Sequence, residues 1–145
     1  MINKETFIKK LENEVRILKH LASKATTDQL LDFKFSNEQR TTRQWFAYLA
    51  TIGSAATKDI INDDASGFET FMDKYETFDF STFEHAIDTD VAHVIEILNT
   101  ASDEKLTEQK TMFGRFTETR AGHILGVHNW YVAYKTQIFL SRVIY

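Results

Sequence analysis

The chain has 145 residues, a length suited to one domain spanning 1–145, and its 17 basic and 21 acidic residues leave a net charge of −4. It has no cysteine, which excludes disulfides, thiolate metal sites and cysteine nucleophiles, and its mixed charges exclude the basic stripe that a nucleic-acid backbone requires. The opening MINKETFIKKLENE lacks the apolar block of a signal peptide and no apolar run approaches the ~18 residues of a membrane span, so the expectation is a cytoplasmic protein with no membrane or nucleic-acid partner.

Proline is absent, where average usage would place about seven, and glycine is sparse, a composition that suits long helices. The first helix is predicted from about Asn3 to Lys24, where Phe7, Leu11, Val15, Leu18 and Leu21 recur at steps of three and four. A connector, TTDQLLDFKFSNEQ, follows and opens with a short turn of helix. The second helix begins at TTRQ, where Thr41 and Gln44 have capping-box spacing. It runs to about Asn62 with Trp45, Tyr48, Leu49, Ile52, Ala56 and Ile60 in one stripe, and NDDASG ends it.

FETFMDKYETFDF lacks a steady period and reads as a connector holding one short helix. STFE at 81–84 reads as another capping box, opening a third helix to about Ser102 along Phe83, Ile87, Val91, Val94, Ile95 and Leu98. Thr117 or Thr119 caps a fourth, whose stripe is Ile124, Val127, Tyr131, Tyr134 and Ile138. No β pattern competes. The fold class is therefore all-α, a four-helix bundle with long connectors between helices 1 and 2 and helices 2 and 3.

Chemistry is sparse along these helices. His123 and His128 are about 140° apart around the last helix, and His85 and His93 are about 80° apart on the third, so neither is a chelating pair. Asp90 with His93, and His85 with Asp88, have i, i+3 spacing but fall in an acidic strip that reads as a solvated face. His128 lies beside the apolar stripe. It reads as a semi-buried histidine bonded to a tyrosine or a carbonyl, or as one ligand or acid–base group of a pocket.

No nucleophile elbow, phosphate loop or HExxH motif is present. Gly122 and Gly126 would permit close approach of a neighbouring helix. Arg43 and Arg120 both fall in a first helical turn, where the dipole disfavours a cation, so each needs a carboxylate partner or an anionic ligand.

Two segments, TTRQWFAYLA at 41–50 and WYVAYKTQIFLSR at 130–142, give the chain a resemblance to the DinB superfamily of four-helix metalloenzyme-type proteins. In that family a Ser/Thr-x-Arg start on the second helix precedes a histidine ligand, and two histidines four apart precede an Arg-Gly-Gln-Leu-like segment on the fourth. Here the second-helix ligand falls on Tyr48, the paired ligands fall on Trp130 and Tyr134, and the last segment becomes Lys135-Thr136-Gln137-Ile138. The resemblance implies a divalent metal such as nickel or zinc and metal-dependent thiol transfer or hydrolysis.

Phenol and indole are poor ligands for such metals, so the expectation is a divergent member without the histidine triad and without a cofactor. It would be a small-molecule-binding or interaction module whose pocket sits at Tyr48, Trp130 and Tyr134, with His128 as a nearby polar residue. The apolar end Ile138–Tyr145 and the family habit point to a homodimer. The alternative is a metal-dependent enzyme with a relocated site, using His128 or His123 with an acidic residue of the third helix.

Overall fold

In the computed structural model, which describes residues 3–144, α1 spans Lys4–Lys24 and buries the five apolar residues of its stripe. Asn3 caps it, its side chain accepting from the Thr6 N–H at 3.1 Å. A one-turn helix, α2 (Asp28–Leu31), follows under a Thr27 cap. The chain then loops back, pinned by the Thr42 N–H donating to the Phe33 carbonyl at 2.9 Å.

The predicted second helix is two helices. α3 (Thr42–Leu49) opens with the expected capping box at Thr41 and Gln44. It stops at Ala50, and α4 (Ile52–Asn62) starts after Thr51, whose backbone leaves the helical region at φ −132°. The Thr51 hydroxyl donates to the Ala47 carbonyl at 2.7 Å, which lies at the end of α3. The apolar period survives the break because it interrupts the helix for only two residues.

The aromatic connector does hold one helix, the 11-residue α5 (Ser66–Glu76), in which Phe68, Phe71 and Tyr75 keep helical spacing among the acidic residues. One other reading is corrected. STFE forms no capping box: Asp79 caps a short 3-10 turn at Phe80–Thr82, and α6 (Phe83–Thr100) continues from it.

After α7 (Asp103–Thr107), a hairpin that the sequence reading did not anticipate pairs β1 (Gln109–Met112) antiparallel with β2 (Phe116–Thr119). Its turn holds Phe113 and Gly114 at φ 55° and 69°. α8 (Arg120–Ile144) then starts under Thr119, whose hydroxyl accepts from the Gly122 N–H at 3.0 Å. Tyr145, the last residue of the apolar end considered above, lies outside the described residues.

The architecture is an all-α four-helix bundle with this small hairpin attached. α1 packs against α6 and α8, and α4 packs against the same two, so α1 and α4 face each other diagonally across the core. Tyr131, Phe46 and Phe83 are the largest fully buried side chains. No neighbouring helix uses Gly126, where an added Cβ would meet nothing within 4 Å, and at Gly122 the nearest atoms it would meet belong to the Glu118 side chain. Among the described residues, no helix is long and apolar enough to cross a membrane.

Candidate functional site

Three short spacings place six rings at one corner of the bundle. Trp45 and Tyr48 are three apart on α3, Phe71 and Tyr75 four apart on α5, and Trp130 and Tyr134 four apart on α8, so each pair shares a helix face. Trp45 stacks on Tyr134 with centroids 4.2 Å apart. Tyr48 meets Tyr134 and Phe71 edge-on at 5.3 and 5.6 Å. Trp130 packs against Ile52, Ala55 and Phe71, a cluster that Tyr48 and Tyr75 also touch. Tyr48, Trp130 and Tyr134 therefore meet in one region around α5, half-buried rather than sealed in the core.

Arg40, an exposed residue just before the Thr41 cap, covers this corner. Its guanidinium carbon lies 5.1 Å from the Trp45 ring centroid, 4.9 Å from Tyr48 and 5.7 Å from Tyr75, all within cation–π range. Its Nε donates to the Tyr75 hydroxyl at 3.1 Å. Glu38, Gln39, Gln44 and Gln137 complete an open cleft of about 620 Å³ around Arg40, Trp45, Tyr75 and Tyr134. The Trp45 Nε1–H is buried without a hydrogen-bond partner among the described residues. Burial, with the neighbouring Tyr134 hydroxyl adding to it, pushes the Tyr48 phenol up to about 12 against the opposing pull of Arg40.

That chemistry decides how well a metal would fit. A phenol held this far above neutral pH offers no phenolate, and indole nitrogen is a donor only. The donor set at Tyr48, Trp130 and Tyr134 does not fit a divalent ion.

The histidines lie elsewhere. His128 sits on the α1 side of α8, edge-on to Phe7 at 5.9 Å, so it does not neighbour the ring-lined cleft as expected. Burial lowers its pKa, Glu14 opposing, and its Nε2 is buried without a hydrogen-bond partner among the described residues, so the expected bond to a tyrosine or carbonyl is not made there. His123 is held by the hairpin, its Nε2 2.7 Å from the Lys110 carbonyl oxygen. Neither is gathered with a carboxylate of α6. Among the described residues, no group of three or more histidine, aspartate or glutamate side chains could hold a metal ion.

The two arginines have carboxylate partners. Arg43 bonds Asp28 and Asp32. Arg120, 6% exposed, holds Asp63 through two nitrogens at 3.0 Å each and also bonds Glu108 at 3.1 Å, which ties the hairpin to the end of α4.

One acidic residue departs from the solvated face assigned to it. His93, His85 and Asp88 are exposed, but Asp90 is only 7% exposed. It points from α6 into the break between α3 and α4, where α4 begins with no side-chain cap of its own. The Asp90 carboxylate accepts the Ser54 N–H at 3.2 Å and the Ser54 hydroxyl at 2.5 Å, and so supplies the missing cap from another helix.

The Tyr131 hydroxyl, buried without a partner among the described residues, lies within 2.3 Å of the position a Cβ on Gly53 would take, and Asp90 Oδ2 within 2.9 Å of it. Burial pushes Asp90 up to about 6 despite the Ser54 hydrogen bonds that favour its charged form. This arrangement follows from a helix break that the apolar pattern conceals, so sequence gave no signal for it. Arg40 and Tyr75 were missed because both lay in segments read as connectors, although the 68, 71, 75 spacing marked α5.

No protein-family model and no curated protein matches the chain. Among solved structures, a DinB-like protein from Bacillus subtilis superposes with a TM-score of 0.73 at 16% identity, covering 96% of this chain and 91% of that one. The chain has the DinB-like fold.

Proposed function

We propose that this protein is a small-molecule-binding module whose pocket is the ring-lined cleft, working without metal-dependent chemistry. One observation carries the reading: rings from three helices and the Arg40 guanidinium converge on an open cleft of about 620 Å³. Three rings, Trp45, Tyr75 and Tyr134, give the cleft flat apolar surfaces among polar side chains that can orient a ligand. The polar groups here are the Tyr75 hydroxyl, the amides of Gln39, Gln44 and Gln137, the Glu38 carboxylate and the Arg40 guanidinium. No histidine lines the cleft, and its one carboxylate is that of Glu38.

The test is a thermal-shift screen of small organic ions and neutral ring compounds against the protein and its Trp45→Leu variant. A ligand at a hundred times its Kd adds about 2.7 kcal/mol of stability. The reading expects at least one chemical class to raise the Tm of the parent and not of the variant. Ligands that shift both equally, or no shift with any class, would contradict it.

The same reading includes self-association through the end of α8, where Leu140, Val143 and Ile144 stand exposed at 41%, 63% and 64%. Sedimentation velocity should show a dimer that Val143→Glu converts to monomer. A monomer at all concentrations would remove the dimer from the account.

A further inference from the structure

We propose that the cleft is a cage for organic cations, and that Arg40 is its built-in, displaceable occupant. This rests on the reading of the cleft as a ligand site and names the ligand class. The evidence is the position of Arg40 itself. A guanidinium already sits over the faces of Trp45, Tyr48 and Tyr75, at distances at which the negative face of each ring attracts a cation. Tyr134 backs Trp45 by stacking, and Phe71 supports Tyr48, so the walls of the cage are held whether or not Arg40 is in it.

Arg40 is free to leave. It is exposed, it lies in the loop between α2 and α3, and it makes no ion pair among the described residues. Its one side-chain hydrogen bond among the described residues is the contact with Tyr75. A buried structural arginine in this chain looks different: Arg120 is enclosed and bound by two carboxylates and a backbone carbonyl. Glu38 on the rim and the net charge of −4 favour a cation in the vacated space.

The ligand class that fits is a small guanidinium or quaternary ammonium group on a short stem, which replaces the Arg40 head group and follows the path of its side chain. Arg40 then acts as an intramolecular competitor, present at the high effective concentration that a short tether imposes.

A neighbouring class gives the opposite prediction. If Arg40 were instead a binding group for anions, removing it would abolish ligand binding rather than expose the cage. The experiment uses the full chain and Arg40→Ala, whose fold is checked by circular dichroism. Each is titrated with agmatine, tetramethylammonium and benzoate at constant ionic strength. Trp45 and Trp130 are the only tryptophans and both belong to the ring cluster, so intrinsic fluorescence reports on the site.

The proposal expects agmatine and tetramethylammonium to bind Arg40→Ala about tenfold more tightly than the parent. It also expects Arg40→Ala with Trp45→Leu to lose that gain. Benzoate binding to the parent that disappears in Arg40→Ala, with no gain for cations, would overturn the cation cage and leave a small-molecule site standing. Equal cation affinity in both proteins would overturn the role of Arg40. No response to any of the three in either protein would overturn the cage and remove the support for the cleft as a ligand site.

Discussion

Replacing Asp90 by Asn should stabilise the protein at pH 8 and leave it unchanged at pH 3. In the folded state the Asp90 carboxyl titrates at about 6, against 3.8 for the free side chain, chiefly because it is buried. A folded-state pKa raised above the unfolded value means that the native state holds its proton longer than the unfolded chain does. The contribution to stability is therefore full below 3.8 and is lost as the pH rises through 6.

At 1.36 kcal/mol per unit, the difference amounts to about 3 kcal/mol at pH 8. Asparagine keeps the shape, its carbonyl can accept the Ser54 N–H, and its amide can donate to the Ser54 hydroxyl, so the cap of α4 survives while the buried charge is removed. His93 and Lys74 also act on Asp90 but only weakly favour its charged form. Urea denaturation followed by circular dichroism at the two pH values measures the effect directly. The variant should gain about 3 kcal/mol at pH 8, roughly 6–12 °C in Tm for a chain of this size. A variant less stable than the parent at pH 8 would show that attraction between the carboxylate and the start of α4 exceeds the desolvation penalty, and would refute the reasoning.

Two glycines give a paired test. Gly53→Ala places a methyl 2.3 Å from the Tyr131 hydroxyl and 2.9 Å from Asp90, and should destabilise by about 1–3 kcal/mol. Gly126→Ala meets nothing within 4 Å inside a helix and should stabilise by about 0.5–1 kcal/mol, both read from denaturation midpoints. Arg120→Ala frees the half-exposed Asp63 and Glu108 to solvent but leaves the buried Ile60 carbonyl without its donor, and should cost about 1–3 kcal/mol. Arg120, with Lys110 second, holds Asp63 down to about 2, so its contribution is present above 3.8 and is lost as pH falls towards 2. In Arg120→Ala, acid unfolding should accordingly begin at a higher pH.

How much of this was legible follows from how each feature is encoded. The stripes of α1, α6 and α8 repeat over four or more turns, so their burial could be read from spacing alone. The Thr41–Gln44 capping box is local chemistry and appeared as written. The break at Thr51 was hidden because a two-residue interruption preserves the apolar phase. The hairpin was hidden because its turn uses Phe113-Gly114 rather than Asn-Gly, and its strands expose Phe116 and Thr117 instead of alternating.

Of the three residues that came from the family resemblance, Tyr134 lines the cleft while Tyr48 and Trp130 lie behind its walls, and the contributions of Arg40 and Tyr75 depend on how two connectors return to the bundle. Asp90 shows the same limit. Its position on a charged strip argued for solvent, and only the uncapped start of a distant helix draws it inside.

The central claim is that rings occupy the place where the DinB resemblance implies a metal. It is tested most directly by calorimetric titration of the untagged protein with nickel and zinc, beside the variant combining Tyr48→His, Trp130→His and Tyr134→His. The account predicts no saturable binding by the parent and new metal affinity in the folded triple variant. Stoichiometric binding by the parent that is lost in Tyr48→Phe would contradict it.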